Sequence, residues 1–287
     1  MALSRGREKL VERLKNPRFR SREGCFLVEG IRGARDTLAG PLTGGVRFAL
    51  VSDRLAGLPS GRELMGSLAD GDVPMEEVTD RELKKLSDTD HPQGVLLVVE
   101  EPADDGELLG GLERPRALLL DGIQDPGNAG TLIRTARAFG LDGVIALDGT
   151  VDLFNSKVVR AASGALAHIP VFRRPWLEVE GWFAERETAL LVAGAEGEDV
   201  RGITPPASWV LAVGNEGAGP RSEVLARASR VVAIPMDPAA DSLNAGLAGA
   251  ILLFALSPHP GAETEGPGEG VTIPGRSAVN PGEDAES

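Results

Sequence analysis

The sequence is poor in the residues that staple or metallate a fold: one cysteine, Cys25, and three histidines in 287 residues. A single thiol excludes a disulfide framework, and the three histidines supply no Cys/His cluster of zinc-ligand spacing, so no metal is expected. His91, His168 and His259 are read as structural or solvent-exposed. Long apolar runs are missing too. The longest, around Leu247 to Leu256, is about half the ~20 residues of a bilayer-spanning helix and is broken by Gly249, which excludes a membrane protein. The N-terminal MALSRGREKLVERLKNPRFRSREG has no apolar core segment, so it is not a secretory signal and a cytoplasmic location is expected. No internal repeat is found. What remains is an ordinary globular composition, 42% hydrophobic and 25% charged, in a length that suggests about two domains.

The net charge of −13 argues against a polyanionic partner only until it is localised. Residues 1–35 hold ten basic side chains, among them Arg18, Arg20, Arg22 and Arg32, against four acidic ones. Residues 258–287 reverse the balance, with six acidic and one basic. A basic cluster on an otherwise acidic chain suits local contact with a polyanion; the same cluster could equally be a solvated helix face.

Leu10, Val11 and Leu14 share one helical stripe, Asn16-Pro17 opens a basic turn, and residues 25–28 read as a strand. Residues 46–52 and 95–99 also read as strands, and 31–38, 62–68 and 80–86 as helices. These form a small α/β domain, residues 1–100, followed by an acidic linker, 101–114. From 115 to 257 the rhythm becomes strand, glycine-rich loop, helix. Strands are expected at 117–120, 143–147, 189–193, 209–213 and 231–234, with helices at 131–139, 157–163 and 243–256. Such alternation argues for a parallel sheet covered by helices, with ligands bound at the strands' carboxyl ends. The Gly/Pro/Glu-rich stretch 258–287 is expected to be a disordered acidic tail.

Three loops of the second domain carry polar groups. Asn128 stands near the start of a helix and Arg134 about two turns on; Asn is also a favoured helix cap. G-N-E-G-A-G, residues 214–219, follows a strand, but its spacing is not the dinucleotide fingerprint and no P-loop lysine follows. Glu216 there is either a functional group or a carboxylate at a helix N-terminus. In the third loop, Ser242 and Asn244 either act on a ligand or cap the helix behind them.

In this order and spacing N-A-G-T-L-I-R-T-A, V-G-N-E-G-A-G-P and I-P-M…S-L-N-A resemble the three motifs of the SpoU (TrmH-like) family, within the SPOUT superfamily of knotted RNA methyltransferases. N-P-R-F-R…F-L-V-E-G-I-R (Asn16 to Arg32) and H-P-Q-G-V (His91 to Val95) resemble that family's substrate-binding domain. The resemblance spans about Asn16 to Leu256. It implies an RNA ribose 2′-O-methyltransferase using S-adenosylmethionine, with a trefoil-knotted C-terminal parallel-sheet domain and a smaller N-terminal α/β RNA-binding domain. It also implies a homodimer that completes each active site. By motif match, the catalytic positions are Asn128, Arg134, Glu216, Ser242 and Asn244. Cofactor contacts are expected near Ala193, Gly194, Gly214, Asn215, Gly217, Ile234, Met236 and Leu243, and RNA contacts at Arg18, Arg20, Arg22 and Arg32. Gly246 departs from the pattern, standing where the family often has a polar residue.

A ribose hydroxyl must lose its proton as it attacks a sulfonium methyl group, which calls for positioning and general-base help. A guanidinium is a poor base at neutral pH, so Arg134 is read as a phosphate and oxyanion clamp. Ser242, Asn244 and Asn128 would orient the ribose or its phosphate, and Glu216 would hold Arg134 or nearby amides. By analogy with large-subunit-modifying members, ribosomal RNA is favoured over transfer RNA. A transfer-RNA enzyme, a base methyltransferase and a non-catalytic RNA-binding protein are the alternatives.

Overall fold

The chain begins with helix α1 (Arg5–Leu14), which buries Val11 and Leu14 and is capped by Ser4, whose side chain accepts from the Arg7 amide. The structure, a computed structural model, describes residues 3–102, 107, 109, 112–237, 239 and 242–257. The expected acidic tail and most of the first half of the expected linker lie outside the described residues.

The expected basic turn is a second helix, α2 (Pro17–Glu23). Asn16 caps it, Pro17 takes the first helical position and Gly24, at φ 60°, closes it. Four N-terminal strands follow: β1 (Cys25–Glu29), β2 (Val46–Ser52), β3 (Met75–Val78) and β4 (Val95–Glu100), in spatial order β1-β4-β2-β3. β1 and β2 both pair antiparallel with β4, and β3 runs parallel to β2. Helices α3 (Ile31–Ala39), α4 (Asp53–Gly57), α5 (Pro59–Asp70) and α6 (Asp80–Leu86) connect them. β3 and α4 were not expected. Met-Glu-Glu-Val buries only Val78 at the sheet edge, so it carries no apolar signature.

The second sheet holds β5 (Arg116–Asp121), β6 (Gly143–Ala146), β7 (Val171–Arg173), β8 (Ala189–Asp199), β9 (Trp209–Gly214) and β10 (Arg230–Ala233). Its order is β10-β8-β9-β5-β6-β7, and every neighbouring pair is parallel. Alternation along β5 shows why it needs cover on both faces. Leu118 and Leu120 join α7 (Pro126–Ala138), α8 (Ser156–Ala162) and α11 (Ala245–Leu256) on one side. Leu119 joins α9 (Trp176–Ala184) and α10 (Ser222–Arg227) on the other. α9, α10 and the three-residue β7 were not expected from periodicity. α11 packs on α7 because position 249 is glycine; a Cβ there would collide with Leu132.

The described residues up to Ser257 form one compact unit. Phe26 and Val28 of β1 share a continuous core with Val158 and Leu166, and the Phe26 and Phe154 rings lie 4.8 Å apart. An ionic cluster reinforces this junction. Arg20 donates to Asp152 Oδ2 from Nε at 2.8 Å and Nη2 at 2.6 Å, and to Leu14 O from Nη1 at 2.7 Å. Arg173 Nη2 takes Asp152 Oδ1 at 2.6 Å. Arg20 is 5% exposed, which corrects its expected role: it ties the two sheets' layers together and is not displayed for RNA.

Candidate active site

The loops leaving β5 and β9 interlock through one carboxylate. Asp125, not Asn128, caps α7: its Oδ1 accepts from the Asn128 amide at 2.8 Å, with Pro126 at the first helical position. Asn128 is therefore the third residue of the helix, and its side chain is released from capping. Asn128 Nδ2 donates to Glu216 Oε1 at 2.9 Å. Glu216 also accepts from the Asp125 amide at 3.1 Å and the Gln124 amide at 3.2 Å. Burial pushes the Glu216 carboxyl up, but the bonds from Asn128 and from backbone amides outweigh it and hold the group below the usual glutamate range. Glu216 thus anchors Asn128 and the loop amides; Arg134, its other expected partner, points elsewhere.

Asn215 builds the second loop. Its Oδ1 accepts from the Gly217 amide at 2.9 Å and the Ala218 amide at 3.0 Å, and its Nδ2 donates to Gly122 O at 2.8 Å. Gly214 is a steric necessity, since a Cβ there would collide with Pro220 N and Gly219 C. Two supporting groups escaped the sequence reading. Buried Asp121 accepts from the Arg221 amide at 2.7 Å and from its guanidinium, and Thr150 Oγ1 accepts from the Gly122 amide at 3.1 Å. Asp125 escaped it as well, although Asp before Pro is a helix-start signal that could have found it.

In the third loop Asn244 caps α11, its Oδ1 accepting from the Leu247 amide at 3.2 Å. Ala193, Gly194, Gly214, Asn215, Gly217, Ile234, Met236 and Leu243 converge on one cleft of about 350 Å³, with Glu216 and Ser242 in the same wall. Asn128 and Asn244 flank it around Gly246, where a Cβ would lie 3.1 Å from Asn128 Oδ1 and 3.2 Å from Asn244 Oδ1. The absent side chain at 246 therefore leaves room for the two asparagines to approach. Arg134 is not in this cleft. It is exposed on α7 and lines a separate groove of about 530 Å³ with Phe139, Ala250, Ile251 and Phe254. Arg18 and Arg22 are exposed on α2, where the Arg22 guanidinium stands over the Phe19 ring at 5.3 Å. Arg32, also exposed, lines a third cavity between the two sheets.

Residues 115–254 match the model of the SpoU rRNA methylase family, and residues 7–97 match that of the MRM3-like substrate binding domain. The chain is 34% identical over 246 residues to the 23S rRNA (guanosine(2553)-2′-O)-methyltransferase RlmP of Bacillus subtilis (strain 168), covering 85% of this chain and 93% of that protein. The chain belongs to the SpoU rRNA methylase family. A second relative, the 23S rRNA (uridine(2479)-2′-O)-methyltransferase of Streptomyces viridochromogenes, is 32% identical over 250 residues, 84% of this chain and 85% of that one. Two solved structures share the fold at a TM-score of 0.76: the AdoMet-bound rRNA methyltransferase from Sinorhizobium meliloti, 27% identical over 89% of this chain and 95% of that one, and the SpoU methyltransferase AviRb from Streptomyces viridochromogenes with AdoMet, 29% identical over 87% and 96%.

The cleft of this SpoU methylase fits S-adenosylmethionine, the methyl donor of its family. Its volume falls in the ~300–1,000 Å³ range of small-ligand sites. Val213, Ile234, Leu243 and Leu252 offer apolar wall, and glycines 194 and 214 line the cleft without a side chain. Asn215, Glu216 and Ser242 supply the polar groups.

Proposed function

We propose that this SpoU methylase transfers the methyl group of S-adenosylmethionine to a ribose 2′-OH of ribosomal RNA, as a cytoplasmic homodimer. The observation that carries this reading is the convergence of the glycine loops on one cleft whose rim holds the Glu216–Asn128 pair. The donor supplies an electrophilic methyl on a sulfonium. The chain supplies positioning: ionised Glu216 fixes the Asn128 amide and the Gln124–Asp125 backbone, so Asn128 is preset to orient a ribose. Ser242 and Asn244, on the loop before α11, face the same task from the opposite side.

Arg134 lies six residues beyond Asn128, about 9 Å along α7, and its planar guanidinium fork suits it to act as a clamp on phosphate and developing oxyanion. It needs a second chain to reach a cleft. The face around it is apolar and exposed, with Leu247 at 50% and Phe254 at 55%, as a self-associating surface would be. Two copies joined through α7 and α11 bring the Arg134 of one chain to the cleft of the other. α11 follows edge strand β10 yet packs on central α7 and against the 3-10 turn Val200–Gly202, a course that fits a trefoil knot. Residues 1–100 act as the RNA-binding domain through Arg18, Arg22 and Arg32, and residues 115–257 as the methyltransferase domain.

Transfer of labelled methyl groups to unmodified ribosomal and transfer RNA tests this reading. Wild type labels ribosomal RNA, and Arg134→Ala loses at least about a hundredfold in turnover with an unchanged melting temperature. Label entering transfer RNA alone, or neither RNA, would overturn it.

A further inference from the structure

The third cavity, about 290 Å³, lies between the two sheets and shares no lining residue with the methyl-transfer cleft. Phe26 and Val28 of β1, Arg32 in the first turn of α3 and His91 before β4 form one wall; Val159 and Arg160 of α8 form the other. Two stretches with no part in the methyl-transfer cleft, F-L-V-E-G-I-R and H-P-Q-G-V, meet here. The Ile31 amide donates to Gln93 Oε1 at 2.9 Å and fixes one to the other.

Arg160 stands out in this wall. Its Nη1 is buried and has no hydrogen-bond partner, and the guanidinium makes no ion pair among the described residues. A guanidinium N–H withdrawn from water with nothing to donate to is a cost to the fold unless a ligand accepts from it. Across the cavity, Arg32 is exposed, and its carboxylate neighbour Asp36 stands 3.9 Å away. The wall's own carboxylate, Glu29, is committed to the Asp88 amide at 2.8 Å and Ser87 Oγ at 2.9 Å. Two guanidiniums beside the apolar surface of Phe26, Val28 and Val159 complement a phosphate joined to a flat base.

We propose that this cavity holds one nucleotide of the RNA strand, its phosphate between Arg32 and Arg160 and its base against the apolar wall. The assignment rests on the RNA-methyltransferase reading and deepens it with an anchoring subsite. α8 separates the two features: Arg160 lines this cavity, and its neighbour Ala161 lines the Arg134 groove. A nucleotide held here therefore sits one helix away from the proposed clamp.

The test is calorimetric titration of the full-length protein with uridine 5′-monophosphate at low salt, with and without saturating S-adenosylmethionine. Wild type binds saturably, S-adenosylmethionine does not displace the nucleotide, and Arg160→Gln weakens binding by about tenfold or more. That variant melts no lower than wild type, because Arg160 makes no side-chain bond among the described residues. Arg32→Gln, at an exposed position, weakens binding in the same direction. Absence of binding, equal affinity in both variants, or displacement by S-adenosylmethionine overturns the subsite. Inorganic phosphate binding as tightly as the nucleotide overturns the role of the base. The titration involves no methyl transfer, so its failure leaves the proposed activity standing, and failure of methyl transfer leaves the titration interpretable.

Discussion

A carboxylate that accepts from one side-chain amide and the amides of Gln124 and Asp125 keeps its charge despite partial burial, and Glu216 does so in a loop 88 residues from Asn128. Its folded pKa lies below the unfolded one. The stabilisation it gives is therefore complete above the ordinary glutamate value and is lost as pH falls through the depressed folded value. S-adenosylmethionine binding should accordingly hold steady near neutrality and weaken only on the acid side of the ordinary glutamate range. Glu216→Gln should bind weakly at every pH and show no acid limb; a variant titrating like wild type would exclude the anchor role. Glu216 and Asn128 were legible because both sit in glycine-marked loops after strands. Their mutual bond was not, since nothing local in either loop names the other. Arg20 shows the converse: ten basic residues at one end of the chain look alike in sequence, and only Asp152, 132 positions away, decides that this one is buried.

At the scale of elements, periodicity located what buries an apolar stripe and missed what does not. β2 falls on residues 46–52 as expected, because six of its seven residues are buried. α2 and β3 went unrecognised as helix and strand because Pro-Arg-Phe-Arg-Ser-Arg-Glu and Met-Glu-Glu-Val are mostly polar. α7 begins five residues before its expected start, since its first turn is glycine and polar and is set by the Asp125 cap rather than by apolar spacing. The loop after β9 yields the prediction at this scale. Gly214→Val places a side chain against the Gly219–Pro220 backbone and must displace the turn that Asn215 organises. Isothermal titration should show S-adenosylmethionine affinity reduced at least about a hundredfold, by analogy with losing two charged-group hydrogen bonds. Unchanged affinity would remove this loop from the cofactor site.

Across the whole molecule, the two sheets fall on either side of residues 101–114, yet they share a core and the Arg20–Asp152–Arg173 cluster, features no local pattern contains. Removing one partner of a buried pair leaves the other uncompensated. Arg20→Met should lower unfolding free energy by about 3 kcal/mol in urea melts. Neutralising exposed Arg18 and Arg22 together should leave stability unchanged and flatten the salt dependence of RNA binding. The reverse pattern would exchange the two assignments. The most direct test of the whole reading is nucleoside analysis of ribosomal RNA methylated by the purified enzyme, after complete digestion and after alkali. A 2′-O-methylated nucleoside, released by alkali as a resistant dinucleotide, is expected. A base-methylated nucleoside, with every phosphodiester still cut, would contradict ribose methylation.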